Sequence, residues 1–101
     1  MEESNTSFNH CVVMDPAGHK VGTVSDVVSD ATTLEPRWLV VDTGLLRASH
    51  YVPIAGLVKT EAGEIVVPFS KDTVQHSAKA QGDHVLTTSE ETELARHYGL
   101  N

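Results

Sequence analysis

A chain of 101 residues has room for one domain, and its 40% hydrophobic and 21% charged residues exclude wholesale disorder. Seven basic and fourteen acidic side chains give a formal net charge of −7, which disfavours nucleic acid and anionic membrane surfaces as partners. One cysteine excludes an intrachain disulfide, and neither a secretory signal nor a membrane-spanning apolar run is present. We therefore expect a cytoplasmic protein without membrane insertion.

The first half of the chain predicts strands that follow a flexible N-terminus at residues 1–9. A short strand at 11–14 precedes the turn Asp15-Pro16-Ala17-Gly18, in which proline suits the second position and glycine a positive φ. A β-branched strand follows at 21–29. Its apolar positions change phase, which predicts a bulge near Ser25-Asp26 that would bend the sheet.

Further strands are predicted in the middle of the chain. The segment Arg37–Asp42 is apolar on both faces at its centre, which indicates a buried strand. Proline cannot donate a hydrogen bond to a ladder, so Pro53 predicts that the strand at 50–54 is an edge strand or ends there. The segments 57–60 and 64–67 flank a Glu-Ala-Gly turn and predict a tight hairpin.

Two helical segments are predicted near the C-terminus. Ser70 is a suitable N-cap for one helical turn. Thr88-Ser89-Glu90-Glu91 has the pattern of a capping box, Leu94 and Tyr98 fall on one face, and Gly99 can end the helix. Because a helix of about ten residues is marginal alone in water, we expect its Leu94–Tyr98 face to pack on the sheet or on another chain.

Five short motifs follow one another along the chain in a characteristic order. They are Val13…Asp15…Gly18, Val21-Gly22-Thr23-Val24…Asp26-Val27, Arg37-Trp38-Leu39-Val40-Val41…Gly44, Val52-Pro53 and Val66-Val67-Pro68-Phe69-Ser70-Lys71-Asp72. This ordered set resembles the PRC-barrel domain over residues 10–76, and the closing helix is similar to the tail of free-standing bacterial members. The resemblance implies a mostly β fold, a small, strongly bent, six-stranded antiparallel barrel with a short C-terminal α-helix.

The resemblance divides the chain into four parts. They are a flexible N-terminus at 1–9, a PRC-barrel-like domain at 10–76, a loop at 77–87 and a C-terminal helix at 88–99. The interior of so small a barrel is usually filled by its own side chains, which leaves little space for a ligand.

The function that the resemblance implies is that of a non-catalytic module for protein interaction or assembly. We expect a self-associating protein, a homodimer or a complex with another protein, with no cofactor. The fold is shared by the cytoplasmic part of the photosynthetic reaction-centre H subunit and by the C-terminal domain of a bacterial ribosome-maturation factor. Two alternatives follow, a ribosome- or RNA-associated maturation factor and a reaction-centre accessory protein. The acidic charge disfavours the first, and the expected lack of a membrane anchor disfavours the second.

The residue types that carry chemistry do not form a recognisable catalytic or metal site. Cys11 precedes two valines and is expected to be an inert core residue. The aspartates at turns and strand ends are expected to accept backbone hydrogen bonds: Asp15, Asp26, Asp30 and Asp42. The histidines lack the spacing of metal ligands: His10, His19, His50, His76, His84 and His97. We therefore predict no catalytic, cofactor-binding or metal-binding residue.

Aromatic and leucine side chains indicate a possible interaction surface instead. Tryptophan and tyrosine are enriched at interface hot spots, and two leucines stand in an otherwise polar loop. These side chains either close one end of the barrel or contact another chain. The possible interaction surface comprises Trp38, Leu45, Leu46, Tyr51, Leu94 and Tyr98.

Overall fold

The computed structural model describes residues 8–30, 33–44, 48–80 and 86–100. One sheet contains six strands, β1 Val12–Met14, β2 Lys20–Ser29, β3 Pro36–Asp42, β4 Ser49–Pro53, β5 Val58–Lys59 and β6 Ile65–Val66. Two helices follow, α1 Lys71–Gln75 and α2 Thr88–His97. All six predicted strands and both predicted helices are confirmed. The predicted flexible N-terminus lies outside the described residues at positions 1–7, and the division into four parts stays a prediction.

The bend of β2 comes from an irregular register against β3. The pairing shifts between Val24 and Asp26, which confirms the bulge predicted from the phase change. Ser25 falls at this shift, and its hydroxyl donates to the carbonyl oxygen of Val40 at 3.3 Å. The bulge therefore changes which side chains face the core along a single ten-residue strand.

The sheet has the strand order β4-β3-β2-β1-β6-β5 and is mixed. β1 and β6 are parallel, with Val13 beside Ile65, and the other neighbours are antiparallel. The sheet does not close, so the expected closed antiparallel barrel is not confirmed.

The open ends of the sheet have a physical reason. Residues 77–80, instead of β5, lie along the outer edge of β4, where Lys79 pairs with His50 in an antiparallel bridge. The amide of Ala80 also donates to the carbonyl oxygen of Ser49 at 2.7 Å. Pro53 ends β4, which is an edge strand as predicted.

The core is built from aliphatic side chains of the strands and from a few aromatic ones. Residues 38–41 of β3 are all buried, which confirms that this strand is covered on both faces. The buried hydrophobic residues among those described are Val13, Val21, Val24, Trp38, Leu39, Val40, Val41, Tyr51, Val52, Ile65, Val67, Val74, Leu94 and Tyr98. Within the described chain, neither helix is long and apolar enough to cross a membrane.

The helix caps agree with the sequence at α1 and differ by one residue at α2. Ser70 Oγ accepts from the amide of Thr73, as predicted. In α2 the capping box is formed by Thr87 and Glu90, one residue before the predicted Thr88 and Glu91. Both pairs have the required spacing, and the structure uses Glu91 to accept from the indole of Trp38.

Close approach of β2 and β3 requires glycine at position 22. A Cβ added to Gly22 would collide with the backbone carbonyl of Asp42 and with the Val41 side chain. Neither neighbour can move without displacing β3, which is buried in the core.

We therefore predict that Gly22→Ala lowers the free energy of unfolding by about 1–3 kcal/mol, because overpacking forces the strands apart. Urea unfolding followed by circular dichroism measures this loss. Ser29→Ala is the control, since Ser29 is an exposed residue of the same strand as Gly22. The control should stay within roughly 0.5 kcal/mol of the original chain. Equal stability of the Gly22→Ala variant would contradict the close approach.

Candidate interaction site

Four of the six residues predicted to form an interaction surface are buried within the chain itself. Trp38 and Tyr51 of the sheet and Leu94 and Tyr98 of the helical C-terminus expose no more than 6% of their surface. The structure brings them together where α2 packs on β3 and β4. Leu45 and Leu46 lie outside the described residues. A role of this set in binding another chain stays a prediction.

The contact between α2 and the sheet combines aromatic packing with two hydrogen bonds. Trp38 Nε1 donates to Glu91 Oε2 at 2.9 Å, and the Tyr98 hydroxyl donates to the carbonyl oxygen of Tyr51 at 2.6 Å. The Tyr98 ring lies 4.8 Å from that of Phe69 and 6.4 Å from that of Trp38, between ring centroids. Burial raises the pKa of Tyr98 to about 12. The helix is thus fixed by groups that sequence analysis assigned to a possible interface.

Asp15 joins the turn after β1 to the first residue of α1. Its Oδ1 accepts from the amides of Ala17 at 3.0 Å and His19 at 2.8 Å. Its Oδ2 accepts from the amide of Lys71 at 3.0 Å and lies 3.3 Å from His19 Nδ1. The donation from Lys71, followed by those from His19, holds the pKa of Asp15 at about 2, below its ordinary 3.8, although burial opposes this shift. The carboxylate is therefore a structural link between two elements distant in sequence.

The other aspartates at turns also accept from backbone amides, as the sequence predicts. Asp26 accepts from Val27, Asp30 from Thr33 and Asp42 from Gly44. These bonds span one to three residues and stabilise local backbone shape. All four aspartates named in the sequence thus take part in local structure.

The described histidines and the cysteine are spread over the molecule. Cys11 is half-buried and precedes β1, and His50 is buried beside Ser77. No three His, Cys, Asp or Glu side chains in the described part of the chain are grouped so that they could hold a metal ion. His84 lies outside the described residues, and the prediction that no metal or cofactor binds stays a prediction.

The fold, the motif order and the sheet with its terminal helix can be compared with known families at this point. Residues 1–74 match the sequence profile of the PRC-barrel domain. The chain belongs to the PRC-barrel family. No curated protein sequence matches it. PRC-barrel domains form a family of non-catalytic modules that mediate protein interactions. For this member, the absence of catalysis stays a prediction.

The two edges of the sheet in this PRC-barrel chain differ in what covers them. Residues 77–80 lie along β4, and the Tyr98 hydroxyl binds a β4 carbonyl oxygen. β5 lies at the other end of the sheet with β6 as its neighbour, and its Val58 is 61% exposed. Sequence analysis did not single out Val58, because the segment 57–60 shows a hairpin strand but not its position at a sheet edge. The outer edge of β5, the last strand of the sheet in the described part of the chain, is the candidate interaction site.

We predict that Asp15→Asn lowers stability and removes part of its dependence on acid pH. The folded pKa of Asp15 is below the ordinary value, so its contribution is present above about pH 4 and is lost as pH falls towards 2. In the variant, an amide nitrogen faces the Lys71 amide in place of a carboxylate oxygen. Urea unfolding at several pH values between neutral and about pH 2 measures both effects.

Asp72→Asn is the matched control for Asp15→Asn, because the Asp72 carboxylate lies on α1, the helix that Asp15 binds, but is 83% exposed. The control should keep the acid-dependent loss seen in the original chain. If Asp15→Asn loses stability in acid as steeply as the control does, the link from Asp15 to α1 is not the source of that loss.

We also predict that Tyr98→Phe lowers the free energy of unfolding by about 1 kcal/mol, because it removes the hydrogen bond to the Tyr51 carbonyl while it keeps the ring. Thermal and urea unfolding measure the change. Leu100→Ala is the control, since Leu100 is 45% exposed and lies two residues after Tyr98, beyond the end of α2. A Tyr98→Phe variant as stable as the control would show that this hydrogen bond contributes no net stability.

Proposed function

We propose that this PRC-barrel chain is a non-catalytic protein-interaction module that pairs with a second copy of itself through the outer edge of β5. The observation that carries the proposal is the difference between the two sheet edges. β4 is covered by residues of the same chain, whereas β5 ends the sheet with an exposed apolar side chain. A strand at a sheet edge offers backbone groups to a further strand.

Two-fold symmetry suits this edge. In a two-fold dimer the same surface of both copies meets, so antiparallel pairing centred on Val58 would bring the two Val58 side chains together. Lys59 would then stand opposite Leu57 of the other copy. The apolar residue at the axis would lose its exposure to water, which is favourable for association.

The length of β5 limits the strength and the size of the assembly. Two residues supply few interstrand hydrogen bonds, so we expect a weak, concentration-dependent dimer. Once two β5 edges pair, the remaining edges of the dimer are the two β4 edges, and these are covered. Closure at two copies therefore follows from the strand order of the described residues, which has β4 at one end and β5 at the other.

The other elements of the proposed function come from the family and the sequence. Another protein remains a possible partner through the same edge, since strand addition is a general mode of peptide recognition. The proposed compartment is the cytoplasm, as the sequence predicts. The ribosome-associated and reaction-centre alternatives remain predictions from family analogy.

We predict that the original chain shows a concentration-dependent dimer and that Val58→Glu shifts it to monomer. The substituted carboxylates would meet at the two-fold axis and repel each other, while Val58 is exposed enough for the monomer to fold unchanged. Sedimentation equilibrium and light scattering over a wide concentration range measure the association. Circular dichroism and thermal unfolding check that the variant keeps its fold.

Leu34→Glu is the matched control, because Leu34 is 72% exposed in the loop before β3. This variant has the same added charge and should dimerise like the original chain. A strict monomer for the original chain at high concentration would contradict self-association. A dimer that persists in Val58→Glu would place the interface elsewhere than at β5.

A further inference from the structure

The outer edge of β4 is covered by two pieces of the C-terminal region, residues 77–80 and α2, which we call the C-terminal cover. Residues 77–80 pair with β4 through the Lys79–His50 bridge and the Ala80–Ser49 hydrogen bond. α2 is held mainly by side chains, through Trp38–Glu91 and through the Tyr98 hydroxyl. A few hydrogen bonds thus hold the C-terminal cover on β4.

The two pieces of the cover are also incompletely packed against each other. A groove of about 440 Å³ lies between Ala78 and Lys79 on one side and α2 on the other. Its floor includes Tyr51 and Leu94, both of which belong to the core. An element with few buried contacts opens more easily than the centre of a sheet.

His50 lies buried at the centre of these contacts, with 4% of its surface exposed. Its Nδ1 is 3.1 Å from both the carbonyl oxygen and the hydroxyl of Ser77. The Ser77 hydroxyl donates to the carbonyl oxygen of Val74 at 2.7 Å. Because a carbonyl oxygen can only accept, His50 Nδ1 carries a hydrogen and donates to Ser77. The contact thus fixes the tautomer of the neutral imidazole, with the hydrogen on Nδ1 and the lone pair on Nε2.

The charged groups around His50 do not favour a positive charge on its ring. Burial is the largest cause that lowers the pKa of His50, and the proximity of Lys79 of the cover and His97 of α2 acts in the same direction. The backbone hydrogen bonds of the ring with Ser77 and Ala78 oppose this shift without reversing it. β3 places the apolar Val41 opposite it. α1 contributes the buried Val74, and the Asp72 carboxylate of that helix points to solvent and contacts His76. Lys71, the remaining charged residue of α1, is exposed.

We propose that protonation of His50 releases the C-terminal cover from β4, so that the cover is an acid-sensitive closure of this sheet edge. Protonation adds a proton at Nε2 and leaves a positive charge in a buried position, where loss of hydration disfavours it. Detachment of residues 77–80 and α2 lets water reach the ring. The same movement frees backbone groups of β4 to pair with another strand. This proposal does not depend on the dimer through β5.

The direction and range of the pH effect follow from burial, which lowers the pKa of His50 below its ordinary 6.5. With the cover open, His50 takes up a proton at a higher pH than with the cover closed. The closed form is therefore fully favoured above about pH 6.5 and is progressively lost as pH falls below it. One proton changes the opening equilibrium at most about tenfold per pH unit.

The experiment follows the full-length chain by hydrogen exchange and tryptophan fluorescence from about pH 7.5 to 5. Trp38, the sole tryptophan, binds Glu91 of α2 and so reports directly on the cover. We expect amides of α2 and Ala80 to open up to about tenfold more often per pH unit below about 6.5, after correction for intrinsic exchange. Amides between β2 and β3 should keep their protection. An equal loss of protection in the whole sheet would overturn the proposal.

Three variants test whether His50 is the sensor. His50→Asn places an amide nitrogen near the position of Nδ1 and cannot titrate, so its cover should stay closed down to about pH 5. His76→Asn is the matched control, because His76 is the C-cap residue of α1 and its side chain is 70% exposed, and this variant should open like the original chain. In His97→Gln, the opening should also persist. Opening that persists in His50→Asn, or is lost in His97→Gln, would overturn the assignment.

A direct titration keeps the proposal testable even if His50→Asn fails to fold. Nuclear magnetic resonance of the imidazole in the original chain gives the protonation curve of His50. Its midpoint must fall below 6.5 and coincide with the midpoint of the Trp38 fluorescence change. Two separate midpoints would show that another group controls the cover.

Discussion

Residues 77–80 lie along the outer edge of β4, where Lys79 pairs with His50 and the Ala80 amide donates to the Ser49 carbonyl oxygen. This pairing occupies the backbone groups with which β4 would otherwise meet β5. The sheet therefore ends in two edges of different character, one covered by its own chain and one exposed at Val58. The open topology at β4 depends on this short pairing, and α2 packs beside it through its own side-chain contacts.

Four of the five aromatic residues of the chain lie in one region of the molecule. Trp38, Tyr51, Phe69 and Tyr98 all lie where α2 meets the sheet, and they leave Phe8 as the one aromatic residue elsewhere. Aromatic side chains bury large areas, and the polar atoms of Trp38 and Tyr98 fix the direction of packing. These residue types favour contact within one chain and contact between two chains equally, so the sequence could not distinguish the two interpretations.

Local patterns predicted the strands, the bulge at Ser25 and the turn aspartates, because each depends on residues near one another in sequence. The parallel pairing of β1 with β6 was missed, since strands more than fifty residues apart carry no local mark of direction. The capping box was displaced by one residue because Thr87 and Thr88 both precede a glutamate at the required spacing. Glu91 instead accepts a hydrogen bond from the indole of Trp38, a residue distant in sequence, and local sequence does not show this contact. The position of Val58 at a sheet edge follows from the strand order, which local sequence does not determine.

The short helix α1 shows how buried polar groups organise this fold. Five residues cannot form a stable helix alone in water. Asp15 binds the amide of Lys71 at its first residue, and His50 binds the carbonyl oxygen of Ser77 just beyond its end. Val74 between them is fully buried. Two side chains, the anionic Asp15 that follows β1 and the neutral His50 of β4, thus hold the helix at both ends. Because His50 is neutral, the attachment after α1 is sensitive to a proton in a range where Asp15 remains charged, so the cover can open while the link to β1 persists.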